Sequence, residues 1–239
     1  MIARPFLAYC LWLQAGVSTE AFLYSVSEAV PHAFGPGQGA AAIPSVSRLD
    51  KNTSGVLVVP THPKGEAELT TQFKERTAEK TYICLVKGRT EEQGEVDAKL
   101  YVSQDAHHFR VYVSPKGKPA VTQYRRLRLL RRAQQPGEKP LGDDDLVFSL
   151  LQVKPLTGRT HQIRAHLASV GHPLVCDTKY KPKVAKRQLA WCPRMFLHAA
   201  QLRVRDASGV ALAAEAPLPE DLLAALGGMS DDAGARGGG

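Results

Sequence analysis

The sequence predicts an α+β fold, a mainly antiparallel mixed β-sheet flanked by a few helices. Three observations predict it. Apolar runs of strand length recur between residues 56 and 204. Clusters of Gly, Pro, Asp and Asn separate them, as hairpin connections require. Only a few stretches carry apolar residues at helical spacing, and runs of strands with few helices make an α+β domain rather than a βαβ array.

In chain order, Phe6 to Val17 is apolar but too short to span a bilayer. With Arg4 before it the stretch resembles a poor signal segment, but it lacks a clear cleavage site and reads as a buried helix. Ala33 to Ala42, AFGPGQGAAA, is a Gly- and Ala-rich loop. Val56 to Val59 reads as a short buried strand. A helix follows from Pro63 to Arg76, with Leu69 and Phe73 one turn apart. Tyr82 to Val86 is apolar on both alternating faces, as in a central strand. Phe109–Val113, Val121–Leu130, Leu146–Val153 and Phe196–Val204 are further strands, and Arg131 to Asp145 is the long tip of a hairpin between two of them. A second helix runs from Thr160, its expected N-cap, to Val170, with Ile163, Leu167 and Val170 on one face and Gly171 as the stop. The tail from Ser230 to Gly239 has nothing to bury and is expected to be disordered. These features divide the chain into an N-terminal region (1–44), a central domain (45–225) and a tail (226–239).

The chain has 239 residues, 44% of them hydrophobic, and a net charge of +8. Its isoelectric point is near 9.4. That surplus favours polyanionic partners, because Lys and Arg release counterions when they sit on phosphates. The four cysteines, Cys10, Cys84, Cys176 and Cys192, form no Cys-x-x-Cys pair and read as reduced, which fits an intracellular protein of the cytoplasm or an organelle. No Gly-x-Gly-x-x-Gly, P-loop or His-Glu-x-x-His pattern occurs, so neither a nucleotide cofactor nor a catalytic metal is indicated. His161 and His166 are five apart and do not share a helix face. His107-His108 reads as strand-end chemistry.

Chemistry concentrates in three segments. In SRLDKNTSGVLVV, Asp50 precedes a run of loop formers whose backbone and hydroxyl donors can hold a carboxylate at the edge of a sheet. An Asp that only caps a turn fits the same stretch. In LTGRTHQIRAHLASVGHPL, Arg159, His161 and Arg164 crowd a helix N-terminus, where the macrodipole disfavours each cation by about 0.3–1 kcal/mol. An anion opposite the helix start, a carboxylate or a phosphate, would resolve the conflict. A surface helix with unremarkable charges is the alternative. In EKTYICLVKG, Tyr82 opens an apolar strand between Lys80 and Lys87. Its ring serves either as core or as a stacking surface for an unstacked base.

Together these segments resemble the RluA family of RNA pseudouridine synthases. The family's His-Arg-Leu-Asp-x-x-Thr-Ser-Gly reads SRLDKNTSG here, its Lys-x-Tyr reads KTY at Lys80–Tyr82, and its Gly-Arg-Thr/Ser-His-Gln-aliphatic-Arg reads GRTHQIR. GHPL and DTKY follow in order, with weaker likenesses in GKPAVTQY, FLHAAQL and APLPEDL. The likeness covers Ser45 to Leu222.

The resemblance implies the pseudouridine synthase catalytic fold and isomerisation of uridine to pseudouridine in structured rRNA or tRNA, without cofactor or metal. Residue by residue it implies that Asp50 is the catalytic aspartate, that Tyr82 packs on the target base, that Arg164 pairs with the aspartate, and that Arg48 enters the RNA near the flipped nucleotide. Lys80, Arg159 and His161 are expected on the RNA-binding surface. RNA is the expected partner, with no membrane association and a monomeric state. Two departures stand out. Ser47 replaces the family's usual His. The N-terminal strand unit with its Lys-Pro-x-Gly loop is not visible in Met1 to Pro44, where Leu23–Val30 is the only candidate remnant, so an N-terminally truncated product with an open sheet edge is expected. The S4-type domain of some relatives is also not seen. The competing readings are a non-catalytic RNA-binding protein on the same fold, inactivated by loss of the N-terminal unit, and a generic basic protein.

Overall fold

The computed structural model describes residues 6–11, 46–60, 63–104, 109–138, 140–206 and 208–232. These form two compact units. The first comprises the described residues up to Lys80 together with Ala199–Pro217, and the second comprises Thr81–His198 with Leu218 onward. The span read as one central domain, 45–225, is thus shared between them. The predicted loop at Ala33–Ala42, the Leu23–Val30 segment, His107-His108 and residues 233–239 of the tail lie outside the described residues.

In the first unit, strand β1 (Phe6–Leu11) pairs antiparallel with β2 (Ser54–Pro60), from Phe6 opposite Pro60 to Leu11 opposite Gly55. This corrects the buried helix expected over Phe6–Val17 for residues 6–11, and residues 12–17 lie outside the described residues. A continuous apolar run carries no period that separates strand from helix, and here pairing with β2 decides. β1 thereby covers one side of β2. On its other side β2 bonds β9 (Leu197–Arg205), which pairs antiparallel with β10 (Ala211–Glu215). Val56, Leu57 and Val58 are all buried, as a strand with neighbours on both edges and cover on its faces requires. Helix α1 (Pro63–Glu75) brings Leu69, fully buried, and Phe73 onto Val56, Val58, Leu202 and Val204. Burying one such leucine stabilises by about 1.5–3 kcal/mol. Gln72 of α1 also accepts from the Arg205 N–H at 2.7 Å and donates to the Arg205 carbonyl at 2.7 Å, so its amide extends the β9 ladder like one more strand residue.

The second unit centres on β3 (Glu79–Lys87, from Thr81), β8 (Val147–Pro155) and β7 (Val121–Arg132), paired antiparallel in that order. Strand β4 (Gln93–Asp97) lies against the first half of β7, and β11 (Met229–Asp231) against its end. Alternate residues of β3 and β8 feed two cores. Cys84, Val86, Leu151 and Val153 face Ile163 and Leu167 of helix α2 (Gln162–Ser169). Leu85, Phe148 and Leu150 face Phe196 and Leu222, the latter from α4 (Glu220–Gly227). This double burial is why TYICLV and VFSLLQV read as unbroken apolar runs. Helix α3 (Pro182–Gln188) supplies Gln188, whose Oε1 accepts the Cys176 N–H at 2.8 Å.

A small separate hairpin, β5 (Leu100–Gln104) and β6 (Phe109–Val113), packs Leu100 and Val111 against Ala120 and Ala165. Gly117 makes this possible, because a Cβ there would lie 2.3 Å from the Leu100 carbonyl carbon.

The tail is ordered further than expected. Helix α4 runs through Gly227, Ser230 and Asp231 belong to β11, and Asp232 is buried between Arg89 (2.7 Å) and Arg131 (3.1 Å). Local composition argued for disorder, but paired charges anchor the segment to β7.

Candidate active site

The site residues named from sequence fall in both units. Arg48, Asp50 and Lys80 belong to the first, and Tyr82, Arg159, His161 and Arg164 to the second.

Asp50 opens a four-residue turn closed by the Thr53 N–H donating to the Asp50 carbonyl at 2.9 Å. Asn52, at the third position, has φ of 67°, the left-handed conformation that Asn tolerates better than most residues. Thr53 and Ser54 are buried, and Gly55, the second residue of β2, has φ of 122°. A Cβ on Gly55 would stand 2.2 Å from the Ala199 carbonyl oxygen, so β9 closes directly over the end of the turn. The Asn-Thr-Ser-Gly run therefore anchors the turn into the sheet, with the half-buried Asp50 at its head and Arg48 exposed beside it. Lys80 is half-buried with its ammonium 5.6 Å from the Phe73 ring centre, and burial lowers its pKa.

In the second unit, Tyr82 stands opposite Val153 on β3, half-buried against the core that holds Ile163. Lys87, the other lysine of that segment, is ion-paired with Asp145.

The N-cap of α2 is His161, not the expected Thr160. It lies in the left-handed region, with φ of 51°, and its side chain makes no capping bond. Gln162 does the structural work of the turn. Its Oε1 accepts from the Thr157 hydroxyl at 2.6 Å and the Arg159 N–H at 3.0 Å, while its Nε2 donates to the Val121 carbonyl at 2.9 Å and the Thr122 hydroxyl at 3.0 Å. One turn on, the fully buried His166 has Nε2 at 2.9 Å from the Ala98 carbonyl and Nδ1 at 2.9 Å from the Thr122 hydroxyl. A carbonyl only accepts, so Nε2 carries the proton and Nδ1 accepts from Thr122. Burial lowers the His166 pKa, opposed in part by the Ala98 carbonyl and Asp97. The helix ends as a Schellman motif on Gly171, whose N–H reaches the Ala168 carbonyl at 3.3 Å while His172 reaches Leu167 at 2.8 Å. Arg159 donates through Nε to the Pro119 carbonyl at 3.1 Å.

Arg164 points from the first turn of α2 to Asp177. Its Nε lies 2.8 Å from Oδ2 and its Nη2 2.9 Å from Oδ1, a two-point fork with both partners buried. Asp177 Oδ1 also accepts the N–H groups of Lys179 (3.0 Å) and Tyr180 (3.1 Å). The Tyr180 ring centre is 5.3 Å from the Arg164 guanidinium carbon, and its hydroxyl is 3.3 Å from His161 Nδ1. His161 meets Phe109 of the hairpin edge-on at 5.5 Å, and Lys179 sits over that Phe109 at 4.7 Å.

An anion opposite the helix start is thus present within the chain, as Asp177. Sequence reasoning quoted DTKY as a motif but assigned no role to Asp177 or Tyr180. It likewise missed Thr122, Gln162 and His166. The local signal was there, in a cationic helix start followed by an aspartate at the head of DTKY, but the pairing across 13 residues is a product of folding.

Comparison with known proteins places the chain. The RNA pseudouridylate synthase family pattern matches residues 28–169, which extends the likeness into residues 28–44, where no family motif was visible. An uncharacterized RNA pseudouridine synthase of Chloroflexus aurantiacus is 40% identical over 190 residues, covering 79% of this chain and 54% of the relative. The ribosomal large subunit pseudouridine synthase D of Nitrosomonas europaea is 38% identical over 187 residues, covering 76% of this chain and 49% of the relative. The chain therefore spans about half the length of these curated relatives. Among solved structures, human RNA pseudouridylate synthase domain containing 1 superposes with a TM-score of 0.72 at 26% identity, covering 97% of this chain and 87% of the other. On this evidence the chain belongs to the RNA pseudouridylate synthase family.

Proposed function

We propose that this protein is an RNA pseudouridine synthase acting on uridine in ribosomal RNA, with tRNA as a second substrate class, and that Asp50 is its catalytic aspartate. The observation that carries the reading is the family match over residues 28–169. It is supported by relatives bearing the names of ribosomal large subunit synthases, at 38% and 34% identity. A relative in Pasteurella multocida, 36% identical over 159 residues, is named a dual-specificity RNA pseudouridine synthase.

The reaction breaks the bond from uridine N1 to the ribose and makes one from C5 to the same sugar carbon. The proton on C5 leaves, and N1 gains one, so atoms and charge balance. The target base must first leave its stack, at a cost of a few kcal/mol. The chain's net charge of +8 and the exposed Arg48 favour the phosphate backbone during that step. Asp50 supplies the carboxylate for covalent or base catalysis, displayed by a turn that is anchored at Gly55. In this reading Tyr82 offers its half-buried ring to the base and Arg164 is an active-site arginine. Lys80, Arg159 and His161 belong to the RNA-facing set.

The test is release of tritium from C5-labelled uridine in a ribosomal RNA transcript. Wild type is expected to release it. Asp50→Asn is expected to bind the same RNA in a gel shift but to release nothing above background. Release by Asp50→Asn refutes the assignment of Asp50. Binding without release by the wild type returns the protein to the non-catalytic RNA-binding reading.

A further inference from the structure

We propose that Asp177 and Tyr180 are positioning residues that lock the plane of the Arg164 guanidinium for the reaction. The inference rests on the reading of Arg164 as an active-site arginine, and it assigns roles to two residues outside that set.

The geometry fixes Arg164 in two independent ways. In the plane, Asp177 grips the Nε and Nη2 edge at 2.8 and 2.9 Å. The carboxylate cannot follow a rotation of the guanidinium, because the backbone N–H groups of Lys179 and Tyr180 hold Oδ1 at 3.0 and 3.1 Å. Independently of that fork, the guanidinium carbon of Arg164 lies over the Tyr180 ring, 5.3 Å from its centre. Tyr180 is steadied in turn by His161, through the 3.3 Å contact of its hydroxyl and an edge contact of the rings at 5.9 Å.

Stability alone does not account for this arrangement. A buried ion pair is often no better than an apolar pair of the same volume. The cation also sits in the first turn of a helix, where the macrodipole opposes it. What the arrangement does supply is a guanidinium with its donors already oriented, so that no reorganisation accompanies charge development in the transition state. Misplacing such a group by about 1 Å can lower turnover about 100-fold.

The closing experiment measures kcat and KM for tritium release from C5-labelled ribosomal RNA transcript, with thermal unfolding of each variant followed by circular dichroism. Asp177→Asn keeps an oxygen for the two backbone N–H groups but sets an amide N–H against Arg164 Nε. It is expected to lower kcat about 10- to 100-fold while KM stays within about 3-fold. Tyr180→Leu leaves the ion pair intact and removes the ring, and its kcat is expected to fall about 10-fold. Tyr180→Phe keeps the ring and is expected to recover most of that loss. A merely structural role would not produce this rescue or this split between kcat and KM at a temperature where all variants are folded. If Asp177→Asn does not fold, the two Tyr180 variants decide. A wild type that releases no tritium overturns the functional reading, and this inference with it. An active wild type whose Tyr180→Leu variant stays within about 2-fold in kcat, or loses only affinity, overturns this inference alone.

Discussion

Replacing Gln162 tests whether the start of α2 is held by one buried side chain. Its amide makes the bonds to Thr157, Arg159, Val121 and Thr122, and the residue is 4% exposed. The orientation of the amide is set by its partners, since the backbone N–H of Arg159 needs an oxygen and the Val121 carbonyl needs an N–H. Truncation in Gln162→Ala deprives the half-buried Arg159 N–H of this acceptor, at about 1 kcal/mol, the low end for a stranded donor. The other three groups keep one partner each: Val121 still accepts from the Leu156 N–H at 2.9 Å, Thr122 still meets His166 at 2.9 Å, and Thr157 still accepts the Val121 N–H at 3.1 Å. Each of them loses only a net bond, about 0.5–1.5 kcal/mol. Allowing for entry of water and partial relaxation, the expected loss is about 3 kcal/mol. For a chain of this size that lowers the unfolding midpoint by about 6–12 °C.

Gln162→Glu sharpens the test. The carboxylate would place an oxygen against the Val121 carbonyl and is relieved only by protonation, so its folded pKa rises above the unfolded value of about 4.3. The variant's stability relative to wild type is then greatest below that value and is lost as pH rises through the raised one. Urea titrations at pH 5 and pH 7 read both effects. A Gln162→Ala loss below about 1 kcal/mol, or a Gln162→Glu deficit no larger at pH 7 than at pH 5, would refute the reasoning.

Gly55→Ala should cost about 3 kcal/mol or more in urea unfolding, from a left-handed φ of 122° and a Cβ that would lie 2.2 Å from the Ala199 carbonyl oxygen. Gly171→Ala, with φ of 91° and nothing within 4 Å, should cost only about 1 kcal/mol, and equal losses would show that the close approach to β9 does not matter. His166 is held neutral with its pKa below the ordinary 6.5, so its contribution is complete above that value and is lost as pH falls through the lowered one. Wild type should therefore lose stability between pH 7 and pH 5 more steeply than a His166→Gln variant, as read by urea midpoints, and parallel profiles would contradict this.

What the sequence by itself determined was local. Periodicity located β2, β3 and α1 to within about three residues at each end. Gly171 marked the stop of α2 because only a glycine enters the left-handed conformation there at no steric cost. For Asp50 and Tyr82 the residues alone left a turn cap and a core ring open, and the site roles of Asp50, Tyr82 and Arg164 were implied only by the likeness of SRLDKNTSG, KTY and GRTHQIR to family motifs.

Tertiary structure decided what depends on partners distant in the chain. Phe6–Leu11 is a strand because β2 offers it an edge. Asp232 is ordered because Arg89 and Arg131 reach it. An anion that answers the cationic start of α2 is Asp177, and a clamp on that helix runs through Thr122, 40 residues from Gln162. Spacing along a chain encodes which face a residue takes on its own helix or strand. It does not encode which residue another element will bring opposite, because that depends on the packing of all of them at once.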